Sequence, residues 1–151
     1  ARFSPFLPLI GGGKTKFQPV YVGDVAEAYA RSVDGDLEGG QIYELGGPEV
    51  LSFRECLEEM LEATYRKRWF VSLPWFVARI QARILGLLPK PLLTLDQVKL
   101  LKTDNVVSQE AKAAGRTLDG LGIQKHSLAA ILPTYLWRYR PAGQFTRKQF
   151  L

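Results

Sequence analysis

The stretch that decides the fold is Phe17-Gln18-Pro19-Val20-Tyr21-Val22-Gly23-Asp24-Val25-Ala26-Glu27-Ala28. Its first half, from Lys16 to Val22, carries Phe17, Val20, Tyr21 and Val22 and reads as a short strand. Asp24 then offers a helix N-cap with Glu27 three residues on, so a small, alanine-rich helix is expected over about Val25 to Val33. A strand running straight into a capped helix is the unit of an α/β fold.

Upstream, residues 1–13 are rich in proline and glycine, end in Gly11-Gly12-Gly13, and read as an extended loop. Downstream, Asp34-Gly35-Asp36 and Gly39-Gly40 stop the helix. Gln41 to Leu45 reads as a second short strand closed by Gly46-Gly47-Pro48. Ser52-Phe53-Arg54-Glu55 is a capping box, and Phe53, Leu57, Met60 and Leu61 recur at helical spacing, so a helix is expected to about Tyr65. Trp69 to Leu73 is a third strand. Pro74 marks a helix start, and Phe76, Val77, Ile80, Ile84 and Leu87 form one apolar stripe. That stripe suits a core-facing helix, the expected reading, or one lying in a bilayer interface beside Arg79, Arg83 and Lys90. Thr94 caps a further short helix, a turn is expected near Ser108 to Ala114, and a last helix spans Ser127 to Tyr139, with Pro133 expected to kink or divide it.

The chain has 151 residues, 46% of them hydrophobic and 23% charged, which fits one globular domain and excludes wholesale disorder. Its single cysteine, Cys56, rules out an internal disulfide and a multi-cysteine zinc site. No uncharged apolar run approaches the roughly 18 residues of a spanning helix, and the start does not read as a signal peptide. The chain begins at Ala1 and its one methionine is Met60, so it reads as a piece of a longer polypeptide. Charge is unevenly divided. Residues 1–63 hold 5 Lys/Arg against 11 Asp/Glu, whereas residues 64–151 hold 15 against 4, within an overall net of +5. Such asymmetry suits a basic half facing an anionic surface, or an ordinary solvated one balanced by other parts of the protein.

Most motifs of catalysis fail on their spacing. Gly13-Lys14-Thr15 resembles the end of a phosphate-binding loop, but Pro8 stands where that loop needs a glycine. There is no G-x-G-x-x-G. His126 is the only histidine and has no partners for a metal; a cap or surface role is expected for it. Asp24 is accounted for by its cap, and Cys56, within an amphipathic helix, is expected as a small buried hydrophobe. Arg138-Tyr139-Arg140 interleaves charge and ring, yet no nucleic-acid module surrounds it.

The opening stretch, followed by Tyr43-Glu44-Leu45-Gly46-Gly47-Pro48-Glu49-Val50-Leu51-Ser52-Phe53-Arg54-Glu55, resembles the C-terminal half of an extended or atypical short-chain dehydrogenase/reductase. The likeness is to the NAD-dependent epimerase/dehydratase group, and within it to the branch of the respiratory complex I accessory subunit and its bacterial relatives. It implies a chain holding the C-terminal part of a Rossmann-like α/β fold, with few short strands and a mainly helical substrate-side subdomain. Residues 1–48 would supply the last strands, a helix and a substrate loop, residues 49–140 the helical subdomain, and residues 141–151 a tail. NAD(P)H is implied for the parent protein, along with a glycine-rich turn and, in active members, a Tyr-x-x-x-Lys pair. All of these would lie in an N-terminal Rossmann half before Ala1, and no tyrosine here has a lysine four residues on.

By the same resemblance, substrate-side residues would be Phe17, Gln18, Pro19 and Tyr21, with Trp75 and Phe76 as lid residues. Nucleotide-sugar members place an arginine and an aspartate where this chain has Phe17 and Gln18. Phenylalanine cannot form the bidentate fork that grips a pyrophosphate, so a small apolar or quinone-like ligand is the expected alternative. No catalytic residue, cofactor-binding residue or metal is expected within the chain, and nucleic acid is not expected as a partner. Two functions follow: the substrate-side portion of an NAD(P)-binding enzyme, or a non-enzymatic assembly module of a respiratory or membrane-associated complex. The expected location is cytoplasmic, or the mitochondrial matrix in a eukaryote, peripheral on the inner membrane. Deprived of its sheet partners, the chain is expected to self-associate.

Overall fold

In a computed structural model, which describes residues 5–85, 94–141 and 143–145, the chain is a mixed α/β structure with two small sheets and six α-helices among those residues. Strand β1 (Phe6–Ile10) runs parallel to β4 (Trp69–Leu73), in a register that places Phe6 opposite Trp69 and Ile10 opposite Leu73. The two-residue strands β2 (Lys16–Phe17) and β3 (Leu51–Ser52) pair antiparallel. Both sheets therefore join a strand from before residue 48 to one from after it.

The proline-rich start is thus a strand where a loop was expected. Its ladder is completed by a partner some sixty residues away, which local composition cannot reveal. Gln41 to Leu45 makes the opposite error. It joins neither sheet; the Glu44 amide donates instead to the Arg116 carbonyl at 3.0 Å.

Helix α1 (Val22–Asp34) begins three residues earlier than the sequence suggests, with Tyr21 at its N-cap and no side-chain capping bond. Asp24 lies inside the first turn and is drawn to a partner from the far end of the chain. Gly35, in the left-handed region at φ 87°, ends the helix by donating its amide to the Arg31 carbonyl. Helix α2 (Phe53–Ala63) starts at the expected capping box: Glu55 N–H to Ser52 Oγ is 3.2 Å, and Ser52 N–H to Glu55 Oε2 is 2.6 Å. Its C-terminal end is clasped by Arg140, which stacks on Tyr65 at 4.3 Å and donates to the Ala63 carbonyl. The Arg138-Tyr139-Arg140 segment is thereby engaged within the fold.

Helix α3 (Trp75–Leu85) follows Pro74, and α4 (Leu95–Leu100) has its capping box between Thr94 and Gln97. These two pack on the parallel sheet through a core of Ile10, Ala78, Ala82 and Val98, against which Leu73, Trp75 and Leu101 rest. The buried face of α3 is therefore its alanine face. The expected core stripe of Phe76, Ile80 and Ile84 points outward, and Leu87 and Lys90 lie outside the described residues. Short α5 (Gln109–Ala113) and α6 (Leu128–Leu136) complete the chain. Helix α6 runs through Pro133 without dividing and packs against α2. A second core gathers Ala28, Leu118 and Ile123. Of the tail beyond Pro141, only residues 143–145 are described.

Candidate functional site

The strand-to-helix passage Phe17 to Val22 forms the wall between two neighbouring clefts, and Pro19 and Val20 line both. The larger, about 670 Å³, is bordered by Phe17, Gln18, Leu45, Phe53, Cys56 and Val107. Phe17 and Phe53 meet with ring centroids 6.1 Å apart and give it an aromatic corner.

Gln18 is the tie at the centre of this cleft. Its Nε2 donates to the Gly47 carbonyl at 2.8 Å, and its Oε1 accepts the Val107 amide at 3.0 Å. Both ends of the amide are engaged in holding loops 44–47 and 105–107 together. Gly46 and Gly47 are required there: a Cβ on Gly46 would lie 2.5 Å from the Val107 side chain, and one on Gly47 would lie 1.9 Å from the Pro19 carbonyl oxygen. Glu44 is occupied in the same way. It accepts the Ser108 amide at 2.7 Å and the Ser108 hydroxyl at 2.9 Å, which hold its carboxyl below the usual range. Burial pushes the Cys56 thiol above its ordinary value, and the Glu55 charge adds to the effect. This cleft presents an apolar and aromatic wall, with Gln18 and Glu44 spent on its own construction.

The smaller cleft, about 380 Å³, lies between Tyr21 and the start of α6, with His126 at its edge. Asp24, almost completely buried, accepts the His126 backbone amide at Oδ2 (3.0 Å) and meets His126 Nδ1 through Oδ1 (2.6 Å). The Tyr21 ring stands edge-on to the imidazole at 5.4 Å. A carboxylate behind one ring nitrogen fixes the orientation of the imidazole. Ser127 is spent capping α6, and the Thr134 hydroxyl donates to the Ile131 carbonyl.

Of the residues singled out by sequence, Phe17, Gln18 and Pro19 come together in the larger cleft, and Tyr21 joins Pro19 in the smaller one. Trp75 is packed against the first core and lines neither cleft; Phe76 is exposed on a separate shallow groove. Asp24 and His126 were missed as a pair. In the sequence Asp24 reads as a cap, a role the structure gives to Tyr21 without a side-chain bond, and 102 residues separate Asp24 from its partner. The glycine run Gly11-Gly12-Gly13 does not fit a cofactor phosphate. The space over Gly11 is filled by the Trp75 indole and that over Gly13 by Leu9 and Arg54. Among the described residues, no three His, Cys, Asp or Glu side chains gather as a metal site, and no helix is long and apolar enough to cross a membrane.

These features define a mixed α/β structure with an apolar cleft beside an Asp–His pair. No protein-family model matches the chain. It is similar to subunits of respiratory NADH dehydrogenases. To the Arabidopsis thaliana protein named NADH dehydrogenase (ubiquinone) 1 alpha subcomplex subunit 9, mitochondrial, it is 38% identical over 148 residues, which are 91% of this chain and 36% of that protein. To the Neurospora crassa NADH-ubiquinone oxidoreductase 40 kDa subunit, mitochondrial, it is 30% identical, over 85% of this chain and 34% of that one. The rat subunit 9 is 29% identical over 89% of the chain. The chain spans about a third of the length of the curated relatives it matches.

Proposed function

We propose that this chain is part of an accessory subunit of a mitochondrial respiratory NADH dehydrogenase, with a role in assembly or stability of that complex and not in its chemistry. The observation that carries the reading is likeness over 91% of the chain to a subunit of that name. The geometry is in keeping with it. Gln18 and Glu44, which line the larger cleft, are consumed in tying loops together. The fold proposed for the parent is that of an atypical short-chain dehydrogenase/reductase, to which this chain contributes the substrate-side part. The NAD(P)H site that the resemblance implies is proposed to lie in the two thirds of the relatives' length that this chain does not span. Phe17 and Pro19 would then form one wall of a pocket for a small apolar or quinone-like group. The protein would act in the matrix, against the inner membrane.

Affinity capture tests this. The protein carrying the chain, tagged at its own gene and extracted in mild detergent, is expected to bring down NADH:ubiquinone oxidoreductase activity. Recovery of the protein alone, with no such activity in the eluate, would contradict it.

A further inference from the structure

Helix α3 is mounted on the protein by its smallest side chains. Ala78 and Ala82 are essentially inaccessible, at 0% and 1% exposure, and they pack with Ile10 and Val98. Successive residues turn by about 100° around a helix, so Ile80 stands roughly opposite the midpoint of the two alanines, with Phe76 and Ile84 one turn to either side. All three are exposed, at 67%, 57% and 63%. An amphipathic helix ordinarily buries its large apolar residues and leaves the small or polar ones outside. Here the order is reversed.

The border of this stripe is cationic. Arg79 and Arg83 lie along one side of it, and together with Phe76 and Ile80 they line a shallow groove of about 220 Å³. The helix contains no acidic residue, and among the described residues neither arginine forms an ion pair. Exposed apolar side chains at helical spacing, one border of unpaired guanidiniums and a rigid attachment on the opposite face make a surface that can press into an interface from one side. Arginine's planar fork suits a phosphate oxygen pair, while Phe76, Ile80 and Ile84 have no polar group to satisfy and gain by leaving water.

We propose that the outer face of α3 docks on the surface of an anionic phospholipid bilayer. Phe76, Ile80 and Ile84 enter the headgroup–acyl boundary, and Arg79 and Arg83 engage lipid phosphates. The helix is 11 residues long, about 16 Å, and lies along the surface rather than across it. Charge complementarity selects the lipid: among the described residues the two arginines have no ion-pair partner, and the half of the chain that carries them holds 15 basic residues against 4 acidic ones. The proposal deepens the placement against the inner membrane and rests on that part of the reading; vesicle binding can fail while the assignment to a respiratory complex stands.

Flotation of the whole protein that carries the chain, with vesicles, tests it. That protein is expected to float with phosphatidylcholine vesicles containing phosphatidylglycerol and to remain behind with phosphatidylcholine alone. Arg79→Glu/Arg83→Glu should weaken binding by about tenfold or more, since each cation near an anionic surface contributes on the order of a kcal/mol and its reversal opposes binding. Phe76→Ser/Ile80→Ser, at sites already in water and so harmless to folding, should weaken it as well. Lys14→Glu/Lys112→Glu, with the same change in net charge on other exposed lysines, should leave it within about twofold. Three results would overturn the proposal: no flotation of the wild type, undiminished flotation of either α3 variant, or equal loss in the lysine control, which would reduce the attraction to net charge. Capture of the chain by an acidic protein without flotation would assign the face to a protein partner and would overturn it too.

Discussion

Asp24 holds His126 with both of its carboxylate oxygens, one on the imidazole Nδ1 at 2.6 Å and one on the backbone amide at 3.0 Å. The first turn of α1 is thereby pinned to the start of α6, and a segment read as a strand-helix unit is closed by the far end of the chain. His126 lines the smaller cleft, so the same bond that builds the structure also orients the imidazole at its edge.

Removing the two partners should not cost the same. Asp24→Ala leaves the His126 amide and the ring without their acceptor and should lower stability by about 1–3 kcal/mol. His126→Ala loses the ring bond and the Tyr21 contact but keeps the backbone bond to Asp24, so about 0.5–1.5 kcal/mol is expected. Urea unfolding measures both. An His126 variant costing more than the Asp24 variant would contradict the geometry.

Gln18 should behave as a structural tie and not as a surface residue. Gln18→Ala strands the Val107 amide and the Gly47 carbonyl and is expected to cost about 1–3 kcal/mol. Gln18→Glu keeps the acceptor for Val107 but sets a carboxylate oxygen against the Gly47 carbonyl, so its cost should equal or exceed that of alanine. Gly47→Ala drives a methyl into the Pro19 carbonyl and should cost about 1–3 kcal/mol or more, by overpacking. Denaturant melts of the three variants rank them directly.

Glu44 gives the protein an acid-sensitive joint. Its two bonds from Ser108 hold its pKa in the folded state below the unfolded value near 4.5, so the stabilisation is fully present above that value and is lost as pH falls through the folded one. The melting temperature of the wild type should therefore drop on acidification below about pH 4.5 more steeply than that of Glu44→Gln. Parallel curves for the two would show that Glu44 contributes nothing to the pH dependence.

Cys56 should react slowly for a free thiol. Burial and the neighbouring Glu55 charge raise its pKa, so less thiolate is present at neutral pH. The pH midpoint of its alkylation by iodoacetamide is expected above that of a free cysteine in a peptide. A midpoint at or below the peptide value would refute the environment described for it.

Signals that act over three or four residues were legible in the sequence. The capping boxes Ser52–Glu55 and Thr94–Gln97 stand where the residue types put them, and Trp69 to Leu73 is a strand over the whole expected range. Partners far along the chain were not legible. Phe6 to Ile10 is a strand because Trp69 to Leu73 accepts it, whereas Gln41 to Leu45 has no such neighbour in either sheet. The stripe on α3 was visible but its direction was not, because periodicity reports that two faces differ and is silent on which one packs. Small Ala78 and Ala82 allow the close approach to Ile10 and Val98, and that decided it. Phe17, Gln18 and Pro19 were expected together and do line one cleft, but nothing local could show that the Gln18 amide is committed to Gly47 and Val107.

The assembly role is tested most directly by deleting the gene in the source organism and resolving its respiratory complexes on a native gel stained for NADH dehydrogenase. The account expects the full-size NADH dehydrogenase to be depleted or replaced by a smaller subassembly, with full size restored on re-expression. An undiminished full-size complex in the deletion strain would contradict it.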